Sequence, residues 1–469
     1  MAAALANRVR QAATSVDEKR SLPWQKPRYE FALLALAACA ALTAVNPVGT
    51  QDTARICLTR AVLHGHLAID PCGRSLDHAT YGGVDYLDKA PGLSIVAVPT
   101  LWAIRLVPAH GWEHGELRLW VLRLLTSGLG FILLAFLVGR VSEGLAPGYG
   151  ALALVAFALG TYVAPLAATT FDHVLAGCFA FGGFLLAWSR RYVLAGLLAA
   201  IAVDTNYLCA VIGIVLAAYA LAGGLRPLLR FAAGAVVPLL LLGAYDWAAF
   251  GSPLHLSYRY VTNRYTAEQT AGLFGIDTPY AHAVGQVFAG GRGILVASPV
   301  IVAAAAGLVL LARRFRFEAI CCAVIFGLLV LADCGYFLPY GGVSPGPRFL
   351  APALPFVALG LAPAFARWFR ATAILAAVSI VAMTTVTFTW WFGGADDRSQ
   401  TPWSAMTQLL GLTHRSASLH PLLAWNVVSW IGVGHAWADG AAFLLAAAAF
   451  VLALYSARRS SRSLASMPG

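Results

Sequence analysis

Apolar residues run through this chain in long uninterrupted stretches, separated by short polar segments. The stretches cover 30–46, 118–139, 147–169, 171–189, 192–204, 206–222, 229–250, 293–312, 317–335, 348–366, 371–391 and 441–457. Most approach the length that crosses a bilayer as a helix, for which about 20 residues suffice. Inside hydrocarbon the backbone must satisfy its own hydrogen bonds, so helices are predicted rather than open strands. The alternating pattern of a transmembrane barrel is absent. The pattern predicts an all-α, polytopic transmembrane fold of about twelve spans. The fifth stretch is short and ends at Asp204. A further stretch, 93–108, is interrupted by Pro99, Arg105 and Pro108 and reads as an interfacial helix.

The polar segments then set the organisation. A basic segment 1–28 precedes a transmembrane module 29–366, followed by C-terminal helices 367–457 and a tail 458–469, the last few residues of which read as disordered. The long connections are 46–92, 251–292 and 392–440. With 93–108 kept out of the spans, basic residues gather on alternate connections. That face collects nineteen of the 32 Lys and Arg against four acids, a balance of +15, and the opposite face comes to −3. The positive-inside rule makes the first face cytoplasmic. Both termini are then expected in the cytoplasm, with 46–92 outside it.

Composition sharpens this picture in three places. The chain is 59% hydrophobic and 11% charged, a balance no soluble globular domain carries. Its net charge of +11 follows membrane orientation, so no nucleic-acid partner is expected. No cleavage site follows the first apolar stretch, which reads as a permanent anchor. The eight cysteines show no metal-ligand spacing. Cys57 and Cys72 share the first outer loop; they would pair in an oxidising compartment or remain free thiols.

Candidate chemistry gathers at the outer ends of the helices. Asp52 follows the first stretch by six residues, within Gly49-Thr50-Gln51-Asp52-Thr53-Ala54-Arg55. It suits a general base at the lipid surface, or equally a helix N-cap. Asp88-Lys89-Ala90-Pro91-Gly92 closes the loop, where Lys89 could bind a phosphate or snorkel beside a turn. Asp70, Asp77 and Asp85 are spare acids that could hold a divalent cation. Asp172 and His173 sit between two stretches, where Asp172 could instead cap the next helix. Arg123 lies inside the second stretch and calls for a carboxylate or phosphate partner. Asp204, Asp246, Asp333 and Arg259 also fall at outer ends. Arg292 and Arg348 follow Gly-rich turns that let amides and a guanidinium converge on an anion, or they anchor headgroups.

Taken in order, these residues resemble the GT-C superfamily of polytopic glycosyltransferases. That group includes protein O-mannosyltransferases, the aminoarabinose transferase of lipid A and bacterial arabinofuranosyltransferases. Asp52 matches the family's acid in the first outer loop, and Lys89-Ala90-Pro91-Gly92 its turn before the next helix. Arg123 resembles a recurring arginine of the second span, and Asp172 an acid ending the third. Phe250-Gly251-Ser252-Pro253, Arg292-Gly293 with Ser298-Pro299, and Gly346-Pro347-Arg348-Phe349-Leu350 through Ala353-Leu354-Pro355 resemble further bacterial members. The likeness covers about residues 30–366. Two departures stand out: the family's acidic pair is Asp52-Thr53 here, and Asp204-Thr205-Asn206 replaces a basic residue near the fifth span.

The resemblance implies a GT-C-like fold with interfacial helices in the first outer loop, in a bacterial inner membrane. It implies transfer of a pentose or hexose from a polyprenyl-phosphate donor to a glycan, lipid or protein hydroxyl on the outer face. Asp52 would be the base of an inverting displacement. Lys89, Asp88, Arg123, Asp172, His173, Asp204, Arg259, Arg292 and Arg348 would bind substrate. The rival reading is a transporter or flippase of envelope precursors. Such proteins keep binding groups near the midplane and often show inverted repeats, and neither is visible here.

Overall fold

The computed structural model describes residues 21–46, 48–69, 72, 77–106, 115–263, 265–389, 401–409 and 425–465. Each apolar stretch is helical over most of its length. The chain begins with α1 (Glu30–Leu42), strand β1 (Ala44–Val45) and α2 (Thr50–Leu63). A hairpin of β2 (His78–Tyr81) and β3 (Val84–Leu87) leads into α3 (Gly92–Leu106). Next, α4 (Gly115–Arg123) passes through a π turn, Leu124–Gly128, into α5 (Leu129–Leu145). Then come α6 (Gly150–Gly160), α7 (Val163–Ala167), α8 (His173–Trp188), α9 (Tyr192–Thr205), α10 (Cys209–Ala222) and α11 (Leu225–Phe250). The second outer connection carries α12 (Thr266–Thr270) and α13 (Ala281–Ala289). The remaining helices are α14 (Ile294–Ala297), α15 (Val300–Leu311), α16 (Arg316–Gly335), α17 (Leu354–Ala358), α18 (Leu361–Arg367), α19 (Phe369–Thr389), α20 (Pro402–Leu409) and α21 (His435–Ala465). Strand β4 (Trp425–Asn426) pairs antiparallel with β1.

Five helices are long and apolar enough to cross a membrane, and two bent pairs bring the number to seven among the described residues. The protein is therefore a polytopic membrane protein, with six further apolar helices of 10–17 residues. The bends follow the prolines. Pro299 separates α14 from α15, and the pair Ala281–Ala297 and Val300–Leu311 turns by 88°. The second pair, Arg348–Ala358 and Leu361–Arg367, bends by 56° at Leu359–Gly360, the turn before Pro363. Proline removes a helix hydrogen bond and clashes with the preceding turn. The first stretch ends early at Leu42, because Ala44 and Val45 leave the helix to pair with β4. The C-terminal helix runs longer than predicted: residues 458–465, read as tail, continue α21. Arg8, Arg10, Asp17, Glu18, Lys19, Arg20, Asp70 and Pro108 lie outside the described residues.

Every residue of α6 is buried, as an all-round apolar helix requires. Glycines set the tightest crossings. A Cβ on Gly196 of α9 would sit 1.8 Å from the Phe231 carbonyl of α11, and one on Gly234 1.8 Å from the Val193 carbonyl. Gly307 and Gly360 make the same exchange between α15 and the segment before α18. Small residues allow such backbone approach where lipid supplies no hydrophobic drive between helices.

Polar contacts close both ends of the bundle. At one end Arg140 forks onto Glu30 at 2.5 and 2.9 Å, and the Tyr219 hydroxyl donates to Glu318 at 2.8 Å. At the other, the first loop folds over the helices. A disulfide joins Cys57 of α2 to Cys72, and Ala79 bridges to Val261, tying the hairpin to the second outer connection.

Candidate active site

The first turn of α2 divides its side chains between two tasks. Gly49 is the N-cap, and the Asp52 carboxylate accepts from Gly49 N at 3.1 Å, reaching back as a capping box does. Asp52 is fully buried and also accepts from Arg123 Nη2 at 2.9 Å and from Thr170 N at 2.7 Å. Arg123, just before the π turn, donates in addition to the Asn46 carbonyl at 2.5 Å. The partner expected for Arg123 is thus Asp52. The Asp52 carboxylate is engaged on three sides and lines neither cavity described below.

Gln51 and Arg55, four residues apart on one face of α2, line the larger cavity instead. Arg55 Nη2 pairs with Asp172 Oδ2 at 2.7 Å, and Asp172 Oδ1 lies 2.8 Å from His173 Nδ1. The hairpin delivers Asp88 and Lys89 to the same place. Lys89 Nζ is 2.5 Å from Asp88 Oδ2 and 3.1 Å from Asp77 Oδ1, and lies over the Tyr258 ring at 5.3 Å. Burial works against the charge on Lys89, but Asp88 and Asp77 outweigh it and raise its pKa. Burial pushes Asp88 up against the pull of Lys89. Asp77 ends below 3.8, because Lys89 and the Thr50 hydroxyl overcome its burial. Gly92 allows α3 to start against α9, since a Cβ there would meet the Asp204 carbonyl at 2.5 Å.

Arg348 completes the group. It is 8% exposed, and its guanidinium lies over Phe171 and Phe349 at 5.4 and 5.5 Å. The Gln51 amide, turned to present its oxygen, accepts from Arg348 Nη1 and Nη2 at 3.1 and 3.2 Å. Arg348 Nε is buried without a hydrogen-bond partner. Among the described residues no carboxylate lies within 4 Å of this guanidinium.

Two cavities meet at these side chains. The larger, about 340 Å³, is lined by the polar side chains Gln51, Arg55, Lys89, Asp172, His173 and Arg348. The same cavity is also lined by the apolar side chains Val203, Val211, Ile214, Leu242, Leu273 and Ile276. The smaller, about 110 Å³, shares Gln51, Lys89, Tyr336 and Arg348 and adds Thr50, Asp77, Asn263, Tyr265, Gln269 and the turn Gly341-Gly342-Val343. A buried, cation-rich junction between an apolar and a polar chamber suits a ligand with a lipid tail, an anionic link and a polar head.

Of the substrate-binding residues expected from sequence, Lys89, Asp172, His173 and Arg348 line this junction. Asp88 sits behind Lys89. Arg292 does not face either cavity; its Nη1 donates to the Ser344 carbonyl at 2.6 Å and its guanidinium lies over Tyr340 at 5.1 Å, bracing the Gly-rich turn. Arg259 is exposed on the short helix Ser257–Tyr260, and Asp204 lines neither cavity. Among the described residues no three His, Cys, Asp or Glu side chains gather as a metal site. Asp77 is taken by Lys89 and Thr50, and Asp85 accepts from Thr80 at 2.6 Å. Sequence reasoning passed over Arg55 and Gln51, although helical spacing alone puts them on one face.

No protein-family model matches the chain, and a comparison with curated proteins finds no match. Among solved structures, ArnT from Cupriavidus metallidurans in the apo state matches with TM-score 0.47 at 13% identity, over 92% of this chain and 76% of that one. The same protein bound to undecaprenyl phosphate gives 0.49 at 15%, over 91% and 74%. The apo oligosaccharyltransferase from Archaeoglobus fulgidus gives 0.41 at 15%, over 82% and 58%. With every TM-score below 0.5, these likenesses assign no residue a role.

Proposed function

We propose that this chain is a GT-C-type glycosyltransferase, moving a sugar from a polyprenyl-phosphate donor to a hydroxyl of a cell-envelope acceptor outside the cytoplasm. The observation that carries the reading is Arg348: a buried guanidinium with an unsatisfied Nε and, among the described residues, no carboxylate within 4 Å, where the two cavities meet. An unpaired buried cation is costly, and an anionic ligand removes that cost. The apolar lining of the larger cavity suits an isoprenoid chain, and the sequence motifs from Asp52 to Pro355 support the same family. The sequence shows none of the inverted repeats that transporters often carry, which does not favour a transporter.

The acceptor oxygen attacks the anomeric carbon while the bond from that carbon to the phosphate oxygen breaks. The bonding pair leaves on polyprenyl phosphate, where Lys89 and Arg348 offset the growing charge. The acceptor proton passes to a carboxylate, and a single displacement inverts the anomeric centre. We assign that proton to Asp77, the carboxylate lining the smaller cavity, and give Asp52 the positioning of Gln51 and Arg55 through the first turn of α2.

The test is transfer of radiolabelled sugar from a polyprenyl-phosphate donor to envelope acceptors by the purified protein. Arg348→Gln is expected to lower kcat/KM by about 100-fold or more, as loss of one transition-state donor does. Wild-type turnover in that variant would remove the reading.

A further inference from the structure

The smaller cavity carries an inference about the sugar itself, and it rests on the donor reading above. If the phosphate sits among Lys89, Arg348 and Arg55 with its tail in the apolar cavity, the space left beyond the phosphate is the smaller chamber. Its far wall comes from the second outer connection. Gln269, on α12, is 7% exposed, and its Oε1 accepts from Asn263 Nδ2 at 3.2 Å. That bond fixes the amide so that the Gln269 NH2 remains a donor on the cavity wall. Asn263 Oδ1 accepts from Tyr265 N at 2.8 Å, which holds the wall in place. Phe171, Tyr265 and Tyr336 supply flat apolar faces in the same chamber.

The carboxylate in this chamber is already matched. Asp77 is its one carboxylate among the described lining residues, and it is paired with Lys89 and bonded by Thr50. Lys89 and Arg348 stand at the entrance and repel a cation. What remains for a ligand is neutral amide hydrogen bonding between aromatic faces, which suits a ring of hydroxyl groups. An ammonium group would meet one carboxylate already paired with Lys89, and the Arg348 guanidinium opposing it.

We infer that this chamber is the sugar-selecting subsite and that it takes a neutral sugar, with Gln269 as the specificity-determining residue. The experiment measures binding of three short probes to the purified full-length protein in detergent: farnesyl phosphate, farnesyl phosphate mannose, and farnesyl phosphate carrying 4-amino-4-deoxyarabinose. The mannose probe is expected to bind about tenfold tighter than farnesyl phosphate, the gain of roughly one or two net hydrogen bonds. The amino-sugar probe should bind no tighter than farnesyl phosphate. Gln269→Ala should erase the mannose gain while leaving farnesyl phosphate affinity unchanged. Gln269→Glu, close in shape, should reverse the preference toward the amino sugar. Tighter binding of the amino sugar by the wild-type protein, or a mannose gain that survives Gln269→Ala, overturns the inference alone. Failure of farnesyl phosphate itself to bind overturns the donor reading and this inference with it.

Discussion

Asp52 and Asp77 are both acids of the first outer loop, yet their surroundings give them different work. Asp52 accepts from a buried arginine and two backbone amides, whereas Asp77 stands at a cavity wall beside Lys89. Removing the charge of Asp52 leaves Arg123 buried without its carboxylate, so Asp52→Asn is expected to lower stability by about 3 kcal/mol. Denaturation in detergent reads this directly. Asp77→Asn should cost less than that, since Lys89 keeps its contact with Asp88, and should in addition reduce kcat. The pH dependence separates the two further. Because the folded pKa of Asp77 lies below 3.8, it stays ionised through the neutral range. Its ion pair contributes fully above the unfolded pKa and is lost as pH falls through the folded value. The acid limb of the rate profile should therefore lie below about pH 4, and Asp77→Asn should abolish it. A wild-type limb near pH 6 would move the base to another group. Sequence alone could not choose between these acids, since Asp52 serves the cap and the base equally well in one dimension. The partner that engages Asp52, Arg123, stands 71 positions away in the chain.

At the scale of elements, the site depends on a few backbone approaches and one covalent tie. Gly196 and Gly234 let α9 and α11 cross with carbonyls where side chains would otherwise stand. Gly196→Ala should cost about 1–3 kcal/mol through overpacking, measured as a lowered thermal midpoint of the purified protein. The Cys57–Cys72 disulfide closes a short loop, with a sequence separation of 15, between α2 and the stretch leading to Asp77. Its replacement by serines should destabilise the folded loop by about 3 kcal/mol on the chain-entropy argument. Protease sensitivity near residue 72 reports it, and unchanged cleavage would mean that the hairpin and α2 hold the loop without the bond. The helices themselves were legible from apolar runs. Their lengths were less so, because Pro299 and the strand pairing of Ala44 and Val45 end helices where hydropathy continues.

Across the whole molecule, the groups that sequence sorted to one side do meet at one end. Asn46, Asp52, Arg55, Lys89, Asp172 and Arg348 come together there, while Arg140, Glu30, Tyr219 and Glu318 make contacts at helix ends sorted to the other. The expected orientation puts both termini in the cytoplasm. A fluorescent-protein fusion at the C-terminus should accordingly fluoresce, and an alkaline phosphatase fusion within 392–440 should be active. The opposite pattern would reverse the side on which the proposed chemistry occurs. By itself the sequence determined that the chain is helical and membrane-embedded, and where its charged connections lie, because hydropathy and charge act locally and sum along the chain. Only tertiary structure decided which loop acids are spent on buried arginines and which face a cavity. It also decided that Arg348 has no carboxylate within 4 Å among the described residues, since pairing between residues distant in sequence depends on how helices and loops come together.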